Sequence, residues 1–172
     1  MTALQKLPPR WDQERRNPLS CSWEQPSAIA HEMRWLTRRQ QDEVGKDYEP
    51  YAPAWDTYFA FERAGSCRIW TARTMSGVLV GYIVVLLVRG LHSVDHVFAN
   101  LDLVYMPPEW REGLTGYRFM KACRDSLRKD PMINIIRGET NELYMNGRMR
   151  VLYKRLGFRK MGEVWSLNND PR

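Results

Sequence analysis

The sequence predicts a mixed α/β domain, because strand patterns and helix patterns alternate along the chain. The run from Val78 to Val88 is apolar and rich in β-branched residues, the composition of a central strand. Asp95 to Met106 reads as a second strand, and a helical period follows from about Glu112 to Lys129. Met132 to Arg137 then reads as a short buried strand. A strand, a helix and a strand in this order imply a parallel pair of strands joined by a crossover.

Length and composition favour one soluble domain. The chain has 172 residues, of which 44% are hydrophobic, and this is enough for a substantial core. Its longest apolar run is too short to span a bilayer, and Met1 to Arg16 lacks the apolar core of a signal peptide. The three cysteines form no C-x-x-C pair and suit free thiols in a reducing compartment. We therefore expect a cytoplasmic protein without a membrane segment.

The charge pattern predicts a solvated surface. The net charge is +6, but the 26 basic residues are scattered among 20 acidic ones, without a block of like charges. A dedicated nucleic-acid face is therefore not expected.

The chain begins with an arm and two helices. Residues 1–26 are rich in Pro, Arg and Trp and show no period, so we expect an irregular arm before a domain at 27–172. A helical pattern then runs from Pro26 to near Gly45, and a second one covers Ala54 to Ala64. The first helix is expected to bury Ile29, Met33 and Leu36.

The remaining elements alternate strand and helix. Arg68 to Arg73 reads as a strand. Asn146 opens a last helix that ends at Leu156, and Phe158 to Leu167 closes the chain as a strand. In the Asp95–Met106 strand, the two-residue period places five side chains on one face: His96, Phe98, Asn100, Asp102 and Val104.

The junction between this strand and the next helix predicts an anion site. We call its segment Arg111-Glu112-Gly113-Leu114-Thr115-Gly116 the glycine turn. The first turn of a helix has unpaired N–H groups and a partial positive charge, and glycines allow a phosphate to approach the backbone. The segment is neither a Walker A loop nor a dinucleotide fingerprint.

A second segment downstream makes the pattern specific. Residues 146–158 read N-G-R-M-R-V-L-Y-K-R-L-G-F. Over roughly Tyr51 to Leu167 the chain resembles the GNAT superfamily, the Gcn5-related N-acetyltransferases, which carry R-x-x-G-x-G/A and N-x-x-A-x-x-L-Y-x-x-x-G-F. Leu114 stands where the first glycine normally lies, with Gly113 one residue early, and Met149 replaces the usual Ala.

The resemblance implies a fold, a reaction and a set of site residues. The fold would be a twisted mixed sheet, splayed at the Asp95–Met106 strand, with helices on both faces. The reaction would be direct transfer of an acetyl group from acetyl-CoA to a primary amine, in a ternary complex. By resemblance, the cofactor-binding residues are Val104, Tyr105 and Met106 for pantetheine, Arg111, Glu112, Gly113, Leu114, Thr115 and Gly116 for pyrophosphate, and Asn146 near the cofactor arm.

The proton-transfer groups follow from the same resemblance and from the chemistry. Tyr153 matches the usual general acid, and a tyrosine can protonate a departing thiolate. Asp102 lies where some members carry a histidine that serves in proton removal, and a carboxylate there can accept a proton directly or through water. Glu139 and Glu142 are competing bases, and binding of an already neutral amine needs none. His92 and His96 have no third ligand, so no metal is expected.

Two other classes of function stay open from the sequence. The domain could be a catalytically inactive binding module for a protein or nucleic acid. The Trp-rich arm could instead dock on a protein partner. The sequence specifies neither the acceptor nor the oligomeric state.

Overall fold

The computed structural model of the protein describes residues 17–44, 52–139 and 147–162. Its five strands form one sheet in chain order, antiparallel except for the parallel pair β4 and β5. The strands are β1 (Ser20–Glu24), β2 (Cys67–Arg73), β3 (Leu79–Gly90), β4 (Ser93–Tyr105) and β5 (Ile135–Gly138). The helices are α1 (Pro26–Val44), α2 (Trp55–Arg63), α3 (Thr115–Leu127) and α4 (Arg148–Arg155). The predicted mixed α/β class and parallel pair are confirmed.

The chain divides into two compact units, Met1–Glu139 and Thr140–Arg172. The first unit holds the whole sheet with α1, α2 and α3. The second holds α4, which ends before Gly157, whose φ of 84° is the left-handed stop expected from the sequence.

Helix α1 packs on one face of the sheet through an apolar stripe at helical spacing. Ile29, Met33 and Leu36 are 1%, 0% and 0% exposed, as the sequence predicted. They form one buried cluster with side chains of β2, β3 and β4, among them Ile69 and Val84. This burial fixes α1, and with it the polar residues on its flank, against the sheet.

Helix α3 covers the other face. The indole Nε1 of Trp23 on β1 donates to Ser126 Oγ at 2.9 Å, and Arg68 on β2 donates to Asp130 just after the helix at 2.8 Å. The buried stripe of the helix consists of Phe119, Met120, Cys123 and Leu127. Helices therefore cover both faces, as expected.

The expectation of an irregular arm through residue 26 is wrong for its last part. Ser20–Glu24 is a strand that pairs antiparallel with β2, Trp23 opposite Trp70. The two indole rings lie 4.9 Å apart in an edge-to-face contact. A five-residue edge strand carries too little pattern to detect in sequence, and its cross-strand contacts stabilise it. Residues 1–16 lie outside the described part.

Three element boundaries also differ from the predictions. Helix α3 starts at Thr115 rather than Glu112, because Gly113 has φ 61° and Leu114 is the N-cap. Strand β5 starts at Ile135 rather than Met132. Ile135 is 42% exposed, so the expectation of a buried strand is wrong. Residues 158–162 are not a strand, and the rest of the predicted terminal strand lies outside the described residues.

Candidate active site

A bulge in β4 marks the centre of the candidate site. Val84 of β3 pairs with Leu103, but the next residue, Val85, pairs with Leu101, so Asp102 is an extra residue without a partner on β3. Cross-strand partners share a face of the sheet, and Val84 and Val85 point to opposite faces. The bulge therefore changes which side chains of β4 face α1 and α2.

The bulge corrects the predicted face of β4. Asn100 pairs with Leu86, whose side chain packs against the α1 cluster. Val104 pairs with Ile83, which neighbours Val84 of that cluster and therefore points to the opposite face. Asn100 and Val104 thus lie on opposite faces, and the expected shared face ends at the bulge. A strict two-residue period cannot anticipate an inserted residue.

The sheet splays at the same place. Strand β5 pairs with β4 from Phe98 to Leu101, where Leu101 lies opposite Gly138, and among the described residues the ladder ends there. From Asp102 to Tyr105, β4 has a backbone edge that β5 does not cover. Among the described residues, the pairing of β4 with β5 thus stops at the bulge, as expected for a sheet that is splayed at this strand.

Two carboxylates flank the point where the strands part. Asp102 and Glu139 are the residues that follow the last paired positions of β4 and β5. The Asp102 side chain reaches solvent, yet neighbouring protein atoms displace part of its water. This partial loss of hydration, and then the charge of Glu139, raises the pKa of Asp102 above its ordinary value. A raised pKa makes a carboxylate a stronger base at neutral pH.

Side chains on the α2 face lie within electrostatic reach of Asp102. Burial, followed by the Asp102 charge, raises the pKa of the Tyr58 phenol to about 12. The same two causes, with Glu62, raise the pKa of the Cys67 thiol to about 11. Both groups therefore stay protonated at neutral pH, whereas the Asp102 carboxylate near them can accept a proton.

The glycine turn follows β4 after a short 3-10 helix, Pro108–Trp110. In this turn the left-handed conformation falls on Gly113, with φ 61°, whereas Leu114 has φ −103° and ψ 7°. Only the first of these conformations favours glycine. The position that adopts the left-handed conformation is therefore the one that carries glycine in this sequence. Position 114 has an ordinary conformation and does not require glycine. The Leu114 side chain is 54% exposed and points to solvent.

The turn presents backbone donors beside open space. Thr115 N–H donates to Glu112 O at 3.3 Å, and Arg118 N–H to Leu114 O at 2.8 Å. Among the described residues, the N–H groups of Leu114 and Gly116 donate no hydrogen bond. A Cβ added at Gly113 or Gly116 would meet nothing within 4 Å. This arrangement of free donors at a helix start can bind an anion.

The Arg111 side chain is committed to protein partners. Its Nη1 and Nη2 donate to the Glu43 carboxylate at 2.5 and 2.8 Å, and its Nε donates to Met106 O. The guanidinium also lies over the Tyr105 ring, 5.4 Å from the centroid. Its own backbone N–H donates to Pro108 O at 3.1 Å. These contacts tie the Arg111 side chain to α1 and to the end of β4. The pyrophosphate contact that the resemblance implied for Arg111 stays a prediction.

A second ion pair lies beside the first, and in this pair α1 supplies the arginine and the segment before α3 supplies the glutamate. Arg39 of α1 donates to both oxygens of Glu109, at 2.5 and 3.1 Å. Arg39 and Glu43 lie one helical turn apart, so the two forks join one flank of α1 to the segment before α3. Sequence reasoning missed Arg39, Glu43 and Glu109, because no local pattern reports contacts across about 70 residues.

A groove lies between α1 and the start of α2. It has a volume of about 640 Å³ and is lined by Arg34, Trp35, Arg38, Pro53 and Trp55. The Trp55 ring lies 5.4 Å from that of Tyr58, whose pKa is raised in part by Asp102. Trp55 thus connects the groove to a side chain on which the Asp102 charge acts.

The predicted general acid lies in the second unit. Tyr153 is buried, 6% exposed, and its ring lies 4.9 Å from that of Phe158. Phe158 N–H donates to Tyr153 O at 3.0 Å. This backbone hydrogen bond after Gly157 keeps the two rings in contact. Asn146 and Glu142 lie outside the described residues.

Metal-ligating side chains do not gather in the described ranges. These ranges contain no group of three or more His, Cys, Asp or Glu placed to hold a metal. His92 lies in the β3–β4 turn and His96 near the start of β4, and both are exposed. The helices of the described residues include none long and apolar enough to cross a membrane.

Comparison with known proteins places the fold. No protein-family model matches the sequence, and no curated protein sequence matches it. A ribosomal-protein-alanine N-acetyltransferase from Brucella melitensis superposes with a TM-score of 0.66 at 13% identity, over 87% of this chain and 99% of that one. An aminoglycoside acetyltransferase from an uncultured soil metagenomic sample superposes at 0.69 and 9% identity, over 91% and 98%.

A third similar structure contains the co-substrate. It is a predicted acetyltransferase from Clostridium acetobutylicum with acetyl-CoA, with a TM-score of 0.63 and 14% identity, over 87% of this chain and 96% of that one. The chain therefore has the fold of the GNAT acetyltransferases, as its resemblance to them implied. Identities this low establish the fold alone.

Proposed function

We propose that the protein is an N-acetyltransferase that moves an acetyl group from acetyl-CoA to a primary amine within a ternary complex. One observation carries the proposal: β4 is bulged at Asp102 and leaves β5 at that residue, just before a turn with free N–H donors. Acetyl-CoA supplies an activated thioester, which an amine can attack directly.

The glycine turn would bind the pyrophosphate. The backbone N–H groups of Leu114 and Gly116 donate nothing within the described residues, and the space beside Gly113 and Gly116 is open. The partial positive charge at the start of α3 adds to the attraction for an anion. Glu112 and Thr115 complete the backbone of the turn, and Arg111 fixes its shape through Glu43.

The free edge of β4 would align the pantetheine arm. Val104, Tyr105 and Met106 follow the last residue that pairs with β5, so their outward backbone groups can bond to the amides of an extended arm. A backbone N–H aimed at the thioester oxygen stabilises the charge that develops there during attack. Asn146, which lies outside the described residues, is proposed to contact the same arm.

Asp102 and Tyr153 would move the two protons. As the amine nitrogen forms its bond to the carbonyl carbon, Asp102 accepts a proton from it, directly or through water. As the carbon–sulfur bond breaks, Tyr153 donates its phenolic proton to the thiolate. The products are the amide and CoA thiol. Glu139 supports the first transfer, because its charge raises the pKa of Asp102.

The acceptor would enter through the groove between α1 and α2. Trp35 and Trp55 offer apolar surfaces there, and Trp55 contacts Tyr58 near Asp102. An amine held in this groove lies on the face of the sheet that carries the base.

The test uses the full-length chain with acetyl-CoA and a panel of primary amines, small molecules and peptides. Release of CoA thiol is followed by a colorimetric thiol reagent, and products are identified by mass spectrometry. We expect thiol release that depends on one class of amine, with a matching acetylated product. Acetyl-CoA binding without an acetylated product in any arm, including a cell extract, would contradict the proposal.

A further inference from the structure

The second unit carries a concentrated basic surface. Residues 147–162 include no acidic residue and six basic ones: Arg148, Arg150, Lys154, Arg155, Arg159 and Lys160. All six side chains are exposed. The whole chain has a net charge of +6, so this short segment carries as much net charge as the entire protein. We call these six residues the basic face.

Helical geometry collects these charges on one side. Tyr153 and Leu156 are the buried residues of this segment, and they lie on one side of α4. At 100° per residue, Arg148, Lys154 and Arg155 fall on the opposite side. Val151, 53% exposed, is the one apolar side chain among them. Arg159 follows the helix and is exposed as well.

Several cations of this face differ from the arginines that brace the first unit. There, Arg39, Arg73 and Arg111 all form two-pronged ion pairs with carboxylates. Within the ranges that the structure describes, the side chains of the following four residues form no ion pair or hydrogen bond. They are Arg148, Lys154, Arg155 and Arg159.

The positions of the basic residues also destabilise α4. Arg148 and Arg150 lie in the first turn of α4, which has no acidic residue, and the helix dipole disfavours cations there. Arg150 and Lys154 lie four residues apart, where like charges repel. Local rules of helix stability are most often broken at functional sites. An anionic partner would remove both penalties.

We propose that the basic face binds the phosphate backbone of a nucleic acid. This activity is separate from acetyl transfer and does not depend on it. The scatter of charge along the sequence argued against such a face, but α4 presents Arg148, Lys154 and Arg155 on one exposed side. The evenly repeated phosphates of nucleic acid match a continuous cationic strip.

The composition of the face favours nucleic acid over the other polyanions. Four of its six cations are arginines, whose planar forks bond phosphate oxygens in pairs. A helix that lies on a membrane needs an exposed apolar side with large residues. In α4 the apolar side is buried, and Val151 alone does not replace it.

The test compares two variants with equal charge change. The face variant carries Arg148→Gln, Lys154→Gln, Arg155→Gln and Arg159→Gln. The control carries Arg63→Gln, Arg89→Gln, Arg128→Gln and Lys129→Gln, which are exposed residues of the first unit. Binding of the full-length chain to a fluorescein-labelled, mixed-sequence 20-mer RNA is measured by anisotropy over a salt series. A melting curve for each variant shows whether it is folded.

We expect the wild-type chain to bind RNA with a strong salt dependence. The face variant should bind at least tenfold more weakly at low salt. Its log–log salt slope should become shallower by about 0.7 for each phosphate that the variant no longer neutralises. The control should stay within about threefold of wild type. Because the face is electrostatically unfavourable in the free protein, the face variant should melt no lower than wild type.

Several results would overturn the proposal. One is the absence of wild-type RNA binding at low salt, and another is an equal loss of affinity in both variants, since only total charge would then matter. A face variant that melts well below wild type would show that these side chains stabilise the fold instead. Equal or tighter binding to polyglutamate, or to vesicles with anionic lipid, would assign the face to another partner.

Discussion

The Glu43 carboxylate accepts two hydrogen bonds from the Arg111 guanidinium, at 2.5 and 2.8 Å. This contact ties the last turn of α1 to the glycine turn, and the exchanged pair of Arg39 and Glu109 runs beside it. Two bidentate ion pairs thus join α1, which borders the acceptor groove, to the turn that would bind the cofactor. We expect the position of one to affect the other.

The first prediction concerns this pair. Glu43→Gln removes the charge of the fork and should loosen the glycine turn, because the pair is only 20% and 28% exposed. We expect the KM for acetyl-CoA to rise about 2- to 5-fold, corresponding to roughly 0.5–1 kcal/mol, with kcat little changed. Steady-state kinetics with varied acetyl-CoA measures both values.

Asp42→Asn is the matched control, because Asp42 neighbours Glu43 but pairs with Arg38 at 3.7 Å with both side chains exposed. It should leave the KM unchanged. A lower KM in Glu43→Gln would show that a released Arg111 binds phosphate directly, against the bracing role.

The second prediction distinguishes the roles of Gly113 and Leu114 in the glycine turn. Gly113→Ala forces a side chain into φ 61° and should cost about 1 kcal/mol of stability and weaken acetyl-CoA binding. Leu114→Gly changes a residue with an ordinary φ of −103°, so affinity should stay within about threefold. Calorimetric titration and thermal melts measure both effects. A gain of tenfold or more in Leu114→Gly would show that Leu114 obstructs the site.

The third prediction concerns Asp102. Asp102→Asn should lower kcat/KM about 100-fold, because the amide cannot accept the proton. The raised pKa of Asp102 means that the acidic limb of the wild-type pH–rate profile lies above the range of an ordinary carboxylate. The variant should lose that limb. An unchanged profile would assign proton removal to Glu139, to Glu142 or to no base.

Asp102 also makes a prediction for stability. A raised pKa in the folded state means that the folded protein binds the proton more tightly than the unfolded chain does. Stability therefore falls as the pH rises from the ordinary carboxylate pKa through the raised value. Asp102→Asn should remove this loss and raise the Tm more at pH 7 than at pH 4. A lower Tm at pH 7 would mean that the carboxylate stabilises the fold.

The fourth prediction concerns Tyr153. Tyr153→Phe keeps the ring that lies 4.9 Å from Phe158, so the variant should fold normally. Loss of the phenolic proton donor should lower kcat about 10²-fold or more while the dissociation constant for acetyl-CoA stays the same. Calorimetric titration beside kinetics separates the two. A full kcat in the variant would remove the tyrosine from the mechanism.

The fifth prediction concerns the frame around the site. Arg73 donates to Glu24 of β1 and Glu32 of α1 with four hydrogen bonds of 2.7–2.9 Å, and to Gly77 O. Arg73→Ala should cost about 2 kcal/mol in urea unfolding, since it leaves the partly buried Glu24 carboxylate without its cation. Arg73→Lys should recover only part, because a lysine lacks the fork.

The same arginine sets a pH dependence. Arg73 lowers the pKa of Glu24, so the pair stabilises the fold above the ordinary glutamate pKa, and this stability disappears as the pH falls through the lowered value. The alanine variant should show a smaller loss of stability at acid pH. Equal acid sensitivity in both proteins would contradict the assignment of that shift to Arg73.

Local pattern predicted much of the fold. Ile29, Met33 and Leu36 repeat at helical spacing and are all buried, and Gly157 ends the last helix as expected. Such features depend on neighbours within a few residues, which the sequence displays directly. The glycine turn could be found for the same reason.

The missed features depend on contacts between distant segments. The bulge at Asp102 arises from how β4 pairs with β3, and no residue type near it signals an insertion. The fork from Arg111 to Glu43 joins residues 68 positions apart. The motif around Arg111 gives no sign of this carboxylate partner, because Glu43 lies in another helix.

The most direct test of the proposed cofactor site is a thermal melt of the full-length protein with acetyl-CoA, for wild type and Gly113→Ala. At one hundred times the dissociation constant, acetyl-CoA should stabilise the wild-type chain by about 2.7 kcal/mol. At the same concentration the variant should gain clearly less. An unchanged wild-type melting temperature at millimolar acetyl-CoA would contradict the account.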